Sequence, residues 1–209
     1  MGKHVDYYVS LNSPWTYLGS ARFDAMAKKH GATVTIWPVD FGSVFAVSGG
    51  LPLPKRAPQR QAYRMMELKR WRDHLGVKTT LEPKFFPANE VPAAKCVIAL
   101  REEGRMADAI KLAHAVLTGL WAEEKNTGDL ATLQAIIDGC GLDGAAVLKA
   151  SEAPGIAEKR EAYTKHAISQ GVFGAPSYVI DGEIFWGQDR LDFLERRLDP
   201  AHAHYGTDR

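Results

Sequence analysis

The sequence predicts an α/β protein in which a long helical segment interrupts a small sheet. Three observations predict this class. A strand, a helix and a second strand follow one another in residues 4–39, and apolar residues then recur at helical spacing to about residue 170. Two short β-prone runs, joined by a tight turn, precede a final helix. Strands flanked by helices in this order indicate an α/β fold.

The first unit begins with "HVDYYVS" (4–10), a short apolar run typical of a strand. Ser13 and Pro14 then begin a helix, because serine is a favoured N-cap and proline a favoured first helical residue. Gly31 ends that helix, and "TVTIWPV" (33–39) supplies the second strand. The unit is therefore β-α-β.

The middle of the chain is predicted to be a long loop followed only by helices. Residues 40–59, "DFGSVFAVSGGLPLPKRAPQ", are rich in glycine and proline, which favours a loop. Between residues 60 and about 170 the apolar spacings are three and four, not two. We therefore assign residues 1–45 and 171–209 to one domain and residues 46–170 to an inserted helical domain.

Strand signals return in "GAPSYVIDGEIFWG" (174–187). Within it, "SYVI" and "EIFW" flank Asp181 and Gly182, a dipeptide typical of a two-residue hairpin turn. "QDRLDFLERRL" then forms the last helix. The order β-α-β, helices, β-β-α is a thioredoxin-like fold with a large all-helical insertion.

Composition excludes several classes of function. The 209 residues carry a net charge of +1, which argues against nucleic acid or an anionic membrane as the main partner. No run reaches the ~18 apolar residues of a membrane span, and the N-terminus lacks the apolar core of a signal peptide, so a cytoplasmic protein is expected. Cys96 and Cys140 form no CxxC motif, which makes a disulfide or a metal site unlikely on sequence grounds.

The reactive position of a thioredoxin-like fold lies between the first strand and the first helix. Here that stretch is "SPWT" (13–16), which has no cysteine, so the chain's own side chains cannot carry out thiol–disulfide exchange there. No GxSxG motif surrounds Ser13 and no motif places a histidine beside it, so a serine nucleophile is not indicated. Ser13 is either only an N-cap or the donor of a hydrogen bond to an anion, such as a thiolate that a cofactor brings.

The segment around Pro176 leaves similar alternatives. Pro176 is either a trans proline at a sheet edge or a cis proline facing the first helix. In the second case the backbone of Ala175 could pair with an extended peptide ligand. Asp189 and Arg190 are either a helix-end acid and a surface charge, or the residues that receive the amine and carboxylate of a ligand.

Three separated motifs together resemble one family. They are "SPWTYL" (13–18), "YRMMELKRW" (63–71) and "GVFGAPSYVIDGEIFWGQDRL" (171–191). The chain is similar, from about residue 4 to 198, to the 2-hydroxychromene-2-carboxylate isomerase family, a relative of kappa-class glutathione transferases and bacterial disulfide oxidoreductases.

The resemblance implies a homodimeric, glutathione-dependent isomerase that acts on a small aromatic carboxylate. It implies that Ser13 activates the thiol and that Ala175 and Pro176 hold the cysteine of glutathione. The residues implied to receive the γ-glutamyl end are Trp186, Gly187, Gln188, Asp189 and Arg190. A kappa-like transferase that releases the conjugate and a non-catalytic peptide-binding relative are the alternatives.

The chain departs from the family pattern where the substrate would bind. The family's basic residue aligns near Phe45, and its Asn-Arg pair aligns near Pro54 and Lys55. Lys55 retains a positive charge that could receive a carboxylate, with Arg56 as a second candidate, although charges beside prolines are commonly only solvated. The remaining distinctive side chains are expected to be packed rather than reactive: Cys96, His114, Trp71 and Trp121.

Overall fold

A computed structural model describes residues 2–201 and contains one mixed sheet with the strand order β2-β1-β3-β4. The strands are β1 (His4–Val9), β2 (Thr33–Pro38), β3 (Ser177–Ile180) and β4 (Glu183–Trp186). β1 pairs parallel with β2 and antiparallel with β3, and β3 pairs antiparallel with β4. Asp181 and Gly182, with φ angles of 51° and 82°, form the predicted hairpin turn between β3 and β4.

The described residues include nine α-helices and two short 3₁₀ turns. The helices are α1 (Pro14–Lys29), α2 (Phe41–Ser48), α3 (Pro58–Leu75), α4 (Val91–Glu102), α5 (Met106–Trp121), α6 (Leu130–Gly139), α7 (Gly144–Ser151), α8 (Ile156–Ser169) and α9 (Leu191–Leu198). The 3₁₀ turns are Leu53–Lys55 and Gln188–Arg190. None of the helices within residues 2–201 has the length and apolar composition needed to span a bilayer.

The largest core cluster joins the sheet to the helical segment. Tyr7 of β1 and Tyr178 of β3 stack with ring centroids 5.1 Å apart, and Phe23 of α1 packs on both rings. The same cluster continues into buried residues of α4, α5 and α6, including Val97 and Leu112. Apolar burial therefore runs without a break from the strands into the predicted insertion.

The predicted loop at residues 40–59 is wrong in its first half. Asp40 accepts a hydrogen bond from the N–H of Gly42 and so caps α2, an N-cap that the glycines and serines around it obscured. α2 packs its buried Phe41 and Val44 against the sheet. The predicted domain boundary after residue 45 lies inside this helix and stays a prediction.

Two further differences lie near the ends of helices. The last helix does not begin at residue 188: a 3₁₀ turn occupies residues 188–190, and α9 follows it. Residues 76–90 contain no helix, although only helices were predicted there. This segment carries Phe85 and Phe86, which pack against the cluster around Trp121. It forms one wall beside the start of α1, where the candidate site lies.

Candidate active site

Ser13 is the N-cap of α1, as the sequence predicts. Its Oγ accepts a hydrogen bond from the N–H of Thr16 at 3.2 Å, and Pro14 occupies the first helical position. The N–H of Trp15 finds no acceptor within residues 2–201. The start of α1 therefore presents one uncommitted backbone donor at the positive end of the helix dipole.

The hydroxyl proton of Ser13 is only weakly committed. Ser13 Oγ donates to the carbonyl of Ala175 at 3.5 Å, well beyond the about 2.5–3.0 Å of an ordinary O–H···O hydrogen bond. The oxygen of Ser13 accepts the capping hydrogen bond from Thr16, while its hydroxyl proton remains available to an acceptor at a shorter distance. A partly buried anion beside Ser13 would be such an acceptor.

No side chain is placed to make Ser13 a nucleophile. Within residues 2–201 the hydrogen-bond partners of Ser13 Oγ are two backbone groups, not a histidine, carboxylate or amine. Thr16, at the fourth position of the SPWT stretch, is fully buried, and its hydroxyl has no partner. The stretch can donate hydrogen bonds to an anion, but it has no base to deprotonate a hydroxyl.

The segment opposite the start of α1 has an open backbone edge. The Ala175–Pro176 peptide bond is cis, the second of the two alternatives that the sequence left open. β3 begins only at Ser177, and the N–H and C=O of Ala175 make no backbone hydrogen bond in the part of the chain that the structure describes. A short extended peptide could pair with this edge.

The turn that follows β4 lies against this segment. The N–H of Gly187 donates to the carbonyl of Pro176 at 2.9 Å. Gly187 has φ of 103°, and a Cβ there would lie 2.4 Å from Asp189 Oδ1, so only glycine fits without strain. The indole of Trp186 covers Gly174, where a Cβ would meet Nε1 at 2.3 Å.

The polar residues of this turn divide into buried and exposed groups. Gln188 is 1% exposed and accepts a hydrogen bond from Nη1 of Arg22 at 2.8 Å, so its side chain is committed to α1. Asp189 and Arg190 are exposed and face each other at 3.6 Å. Of the five residues predicted in this turn, Gln188 therefore attaches the turn to α1, whereas Asp189 and Arg190 form an exposed ion pair that a ligand could reach.

Sequence reasoning missed the residues that fix the loop before α1. The side chain of Asn12 donates to the carbonyl of Ala88 at 2.8 Å and accepts from the N–H of Ala88 at 3.0 Å. Glu90 Oε2 accepts from Ser10 Oγ at 2.7 Å and from the N–H of Asn12 at 3.1 Å. These contacts span about 80 positions of the chain, so no local pattern could reveal them.

Glu90 also forms an ion pair with Arg160 of α8 at 3.1 Å, and both side chains are 16% exposed. Burial raises the pKa of Glu90, and the hydrogen bond from Ser10 and the charge of Arg160 oppose that rise. The carboxylate links α8, residues 76–90 and the loop that ends at Ser13. We define Ser10, Asn12, Glu90 and Arg160 as the Glu90 cluster.

No hydrogen bond or ion pair within residues 2–201 links the side chain of Lys55 to the site around Ser13. It lies exposed in the 3₁₀ turn after α2, and its ammonium makes no hydrogen bond or ion pair within residues 2–201. Arg56 is more buried and donates from Nε to the carbonyl of Leu51 at 2.8 Å. The predicted role of Lys55 in binding the substrate carboxylate therefore stays a prediction.

The other singled-out side chains are packed, as predicted. Cys96 is fully buried, and burial raises the pKa of its thiol to about 11. Nδ1 of His114 lies 2.6 Å from Ser20 Oγ, and burial lowers the pKa of the imidazole. Trp121 is fully buried and Trp71 lies half-buried beside it in the same cluster. None of these residues contacts Ser13.

The chain is similar to known proteins over nearly its whole length. Residues 4–199 match the family described as the DSBA-like thioredoxin domain. A curated relative, the 2-hydroxychromene-2-carboxylate isomerase of Sphingobium xenophagum, is 30% identical over 200 residues, which cover 95% of this chain and 99% of the relative.

Solved structures show the same relationship. A structure of 2-hydroxychromene-2-carboxylate isomerase is similar with a TM-score of 0.78 at 26% identity and covers 93% of both chains. The cytosolic disulfide reductase DsbM of Pseudomonas aeruginosa, solved with GSH, has a TM-score of 0.65 at 14% identity, and the match covers 93% of this chain and 98% of that one. The second likeness shows the fold alone.

Proposed function

This chain belongs to the 2-hydroxychromene-2-carboxylate isomerase family, within the DSBA-like thioredoxin domains, and we propose that it is a glutathione-dependent isomerase of that type. The proposed reaction interconverts 2-hydroxychromene-2-carboxylate, or a related aromatic carboxylate, with trans-o-hydroxybenzylidenepyruvate. The observation that carries the proposal is a helix N-terminus whose serine proton makes only one long hydrogen bond, with no base beside the hydroxyl. Such a site suits a thiolate that arrives with a ligand.

The residues around Ser13 fit glutathione as a short peptide with a thiol. The free backbone edge of Ala175 would pair with its cysteine, and the exposed Asp189 and Arg190 would meet the charged γ-glutamyl end. The related DsbM was solved with GSH, which makes this fold a plausible host for the tripeptide. Homodimer formation stays a prediction that size-exclusion chromatography would test.

When bound, glutathione would supply a thiol for reversible addition, as thiolate plus proton, across the conjugated C=C of the substrate after its hemiketal ring has opened. The bond is then single and can rotate, and loss of the thiolate and a proton restores the C=C in the trans form with glutathione unchanged. Ser13 Oγ–H and the N–H of Trp15 would donate to the sulfur and favour its anionic form. The pKa of a free thiol is about 8.5, so a lower value at the helix N-terminus raises the reactive fraction at neutral pH.

The experiment is a pH titration of bound glutathione, followed by thiolate absorbance, in the wild type and in two Ser13 variants. Ser13→Ala removes both the cap and the donor, whereas Ser13→Asp keeps a cap and places a negative charge beside the sulfur. We expect both variants to raise the thiol pKa and to lower the rate by about 100-fold or more. An unchanged thiol pKa in both variants would reject the role of Ser13.

A matched control separates the loss of a helix cap from the loss of the donor. Asp143→Ala removes the N-cap of α7, where Asp143 accepts from the N–H of Ala146 at 2.9 Å. It should cost about 1 kcal/mol of stability and leave the thiol pKa unchanged. Product analysis separates isomerase from transferase: net consumption of glutathione would favour the kappa-like transferase instead.

A further inference from the structure

Arg64 of α3 is a half-buried guanidinium for which the described residues supply no carboxylate. Within residues 2–201 its guanidinium makes one hydrogen bond, a weak one from Nη1 to the sulfur of Met65 at 3.6 Å. Arg70 and Arg72 of the same helix are paired with Glu67 and Asp73, and Arg60, which has no ion pair within residues 2–201, is exposed to water. A cation held out of water without a counter-ion is costly, and a bound anion would remove that cost.

The surroundings of Arg64 are aromatic and contain donors in excess of acceptors. Its Cζ lies 5.5 Å from the ring centroid of Phe86 and 6.0 Å from that of Trp121. The indole N–H of Trp121 is buried and has no acceptor. Burial and, to a smaller extent, the nearby charge of Arg56 lower the pKa of Arg64 to about 10. This place therefore favours a negatively charged group attached to a flat apolar body.

Arg64 and the start of α1 contact the same aromatic cluster. Phe86 is two residues from Ala88, which is hydrogen-bonded in both directions to Asn12, next to Ser13. Trp15 packs into the cluster that contains Trp121 and Phe86. Trp15, two residues after Ser13, and Phe86, which Arg64 overlies, therefore belong to one aromatic cluster.

We propose that Arg64, assisted by Arg56, binds the carboxylate of the substrate while the rings of Trp15 and Phe86 contact its aromatic part. This inference rests on the proposed function, because it assigns the part of the same site that binds the substrate. We call this part the acceptor end. It replaces Lys55, which is exposed, with two more buried guanidinium groups. A guanidinium can hold a carboxylate through two parallel hydrogen bonds, which an ammonium cannot do.

The test compares a carboxylate substrate with its carboxamide in the variants Arg64→Met, Arg64→Lys and Arg70→Met. Arg64→Met should lower kcat/KM for the acid about 10- to 100-fold, mainly through KM, and should leave the carboxamide nearly unchanged. Arg64→Lys should recover part of the preference for the acid. Arg70→Met, on the same helix, should retain the wild-type preference because Glu67 already pairs with Arg70.

A binding measurement keeps this test separate from the isomerase proposal. Tryptophan fluorescence is titrated with 2-hydroxybenzoate and with 2-hydroxybenzamide, neither of which needs glutathione. Tighter binding of the acid in the wild type, lost in Arg64→Met, would support the carboxylate site even if no isomerase activity were found. Equal binding of acid and amide in the wild type, or an unaltered preference in Arg64→Met, would overturn it whatever the enzyme catalyses.

Discussion

The two ends of the candidate site use different chemical groups, the backbone at one end and long side chains at the other. The thiol end consists of a helix cap, a backbone edge and a glycine turn: Ser13, Ala175 and Gly187 act through their main chain or one small hydroxyl. The acceptor end consists of long side chains, Arg64 and Phe86, from α3 and residues 76–90. In the proposed site, the fold's own backbone would supply thiol activation, whereas individual side chains would choose the substrate.

The strongest test of this division combines one change at each end. Ser13→Ala is expected to cost about 100-fold and Arg64→Met about 10- to 100-fold in kcat/KM for an acid substrate. If the ends act independently, the double variant should lose about 10³- to 10⁴-fold, additive within about 0.5 kcal/mol. A double variant no worse than Ser13→Ala alone would show that the ends work as one unit.

The next test removes the cluster that holds the thiol end in place. Glu90→Ala leaves Arg160 buried without its partner, and we expect the free energy of unfolding to fall by about 3 kcal/mol. Urea denaturation measures this loss. Glu152→Ala is the control, because Glu152 is 71% exposed where it pairs with Lys95, and it should change stability by less than about 1 kcal/mol. Equal effects of the two variants would refute a supporting role for Glu90.

The same carboxyl predicts a pH dependence. Burial raises the pKa of Glu90, so the folded chain keeps this proton to a higher pH than the unfolded chain does. Its contribution to the free energy of unfolding therefore falls as pH rises above the ordinary carboxyl pKa of about 4.3. Glu90→Gln should flatten the profile above about pH 4.3, measured by urea unfolding at each pH. Parallel profiles would mean that Glu90 has an ordinary pKa.

A smaller effect is expected at the γ-glutamyl side of the thiol end. Gly174→Ala places a Cβ 2.3 Å from Nε1 of Trp186, so the exposed indole has to move. We expect glutathione to bind several-fold more weakly, at a stability cost of about 1 kcal/mol. Calorimetry with glutathione measures the first effect and thermal unfolding the second. Unchanged affinity would remove Trp186 from the glutathione site.

The smallest effect is expected at Lys55. The side chain is exposed and has no partner within residues 2–201, so Lys55→Met should change kcat/KM for an acid less than twofold. The measurement is the same acid-against-amide comparison that tests Arg64. A tenfold loss specific to the acid would show that Lys55, in the turn after α2, binds the carboxylate in place of Arg64.

The local structure of the thiol end could be predicted from the sequence, whereas the side-chain contacts of the acceptor end could not. Ser13 followed by Pro14 is a local capping signal, and the hairpin around Asp181 fixes the turn that follows β4. The contact of Glu90 with Ser10 depends on tertiary packing between residues 80 positions apart in the chain. Periodicity cannot distinguish a buried unpaired arginine such as Arg64 from its paired neighbours. α2 was missed because one aspartate, Asp40, decides where it begins.

The unbroken core between strands and helices limits how this scaffold can be altered. α4 and α5 pack directly on β2 and α1, so a transplanted insertion would have to reproduce that packing before it could present any new pocket. Exchange of whole segments between relatives should therefore yield insoluble chimeras more often than new specificities. Point changes on the solvent side of α3 and along residues 76–90 offer the practical route to a new substrate range.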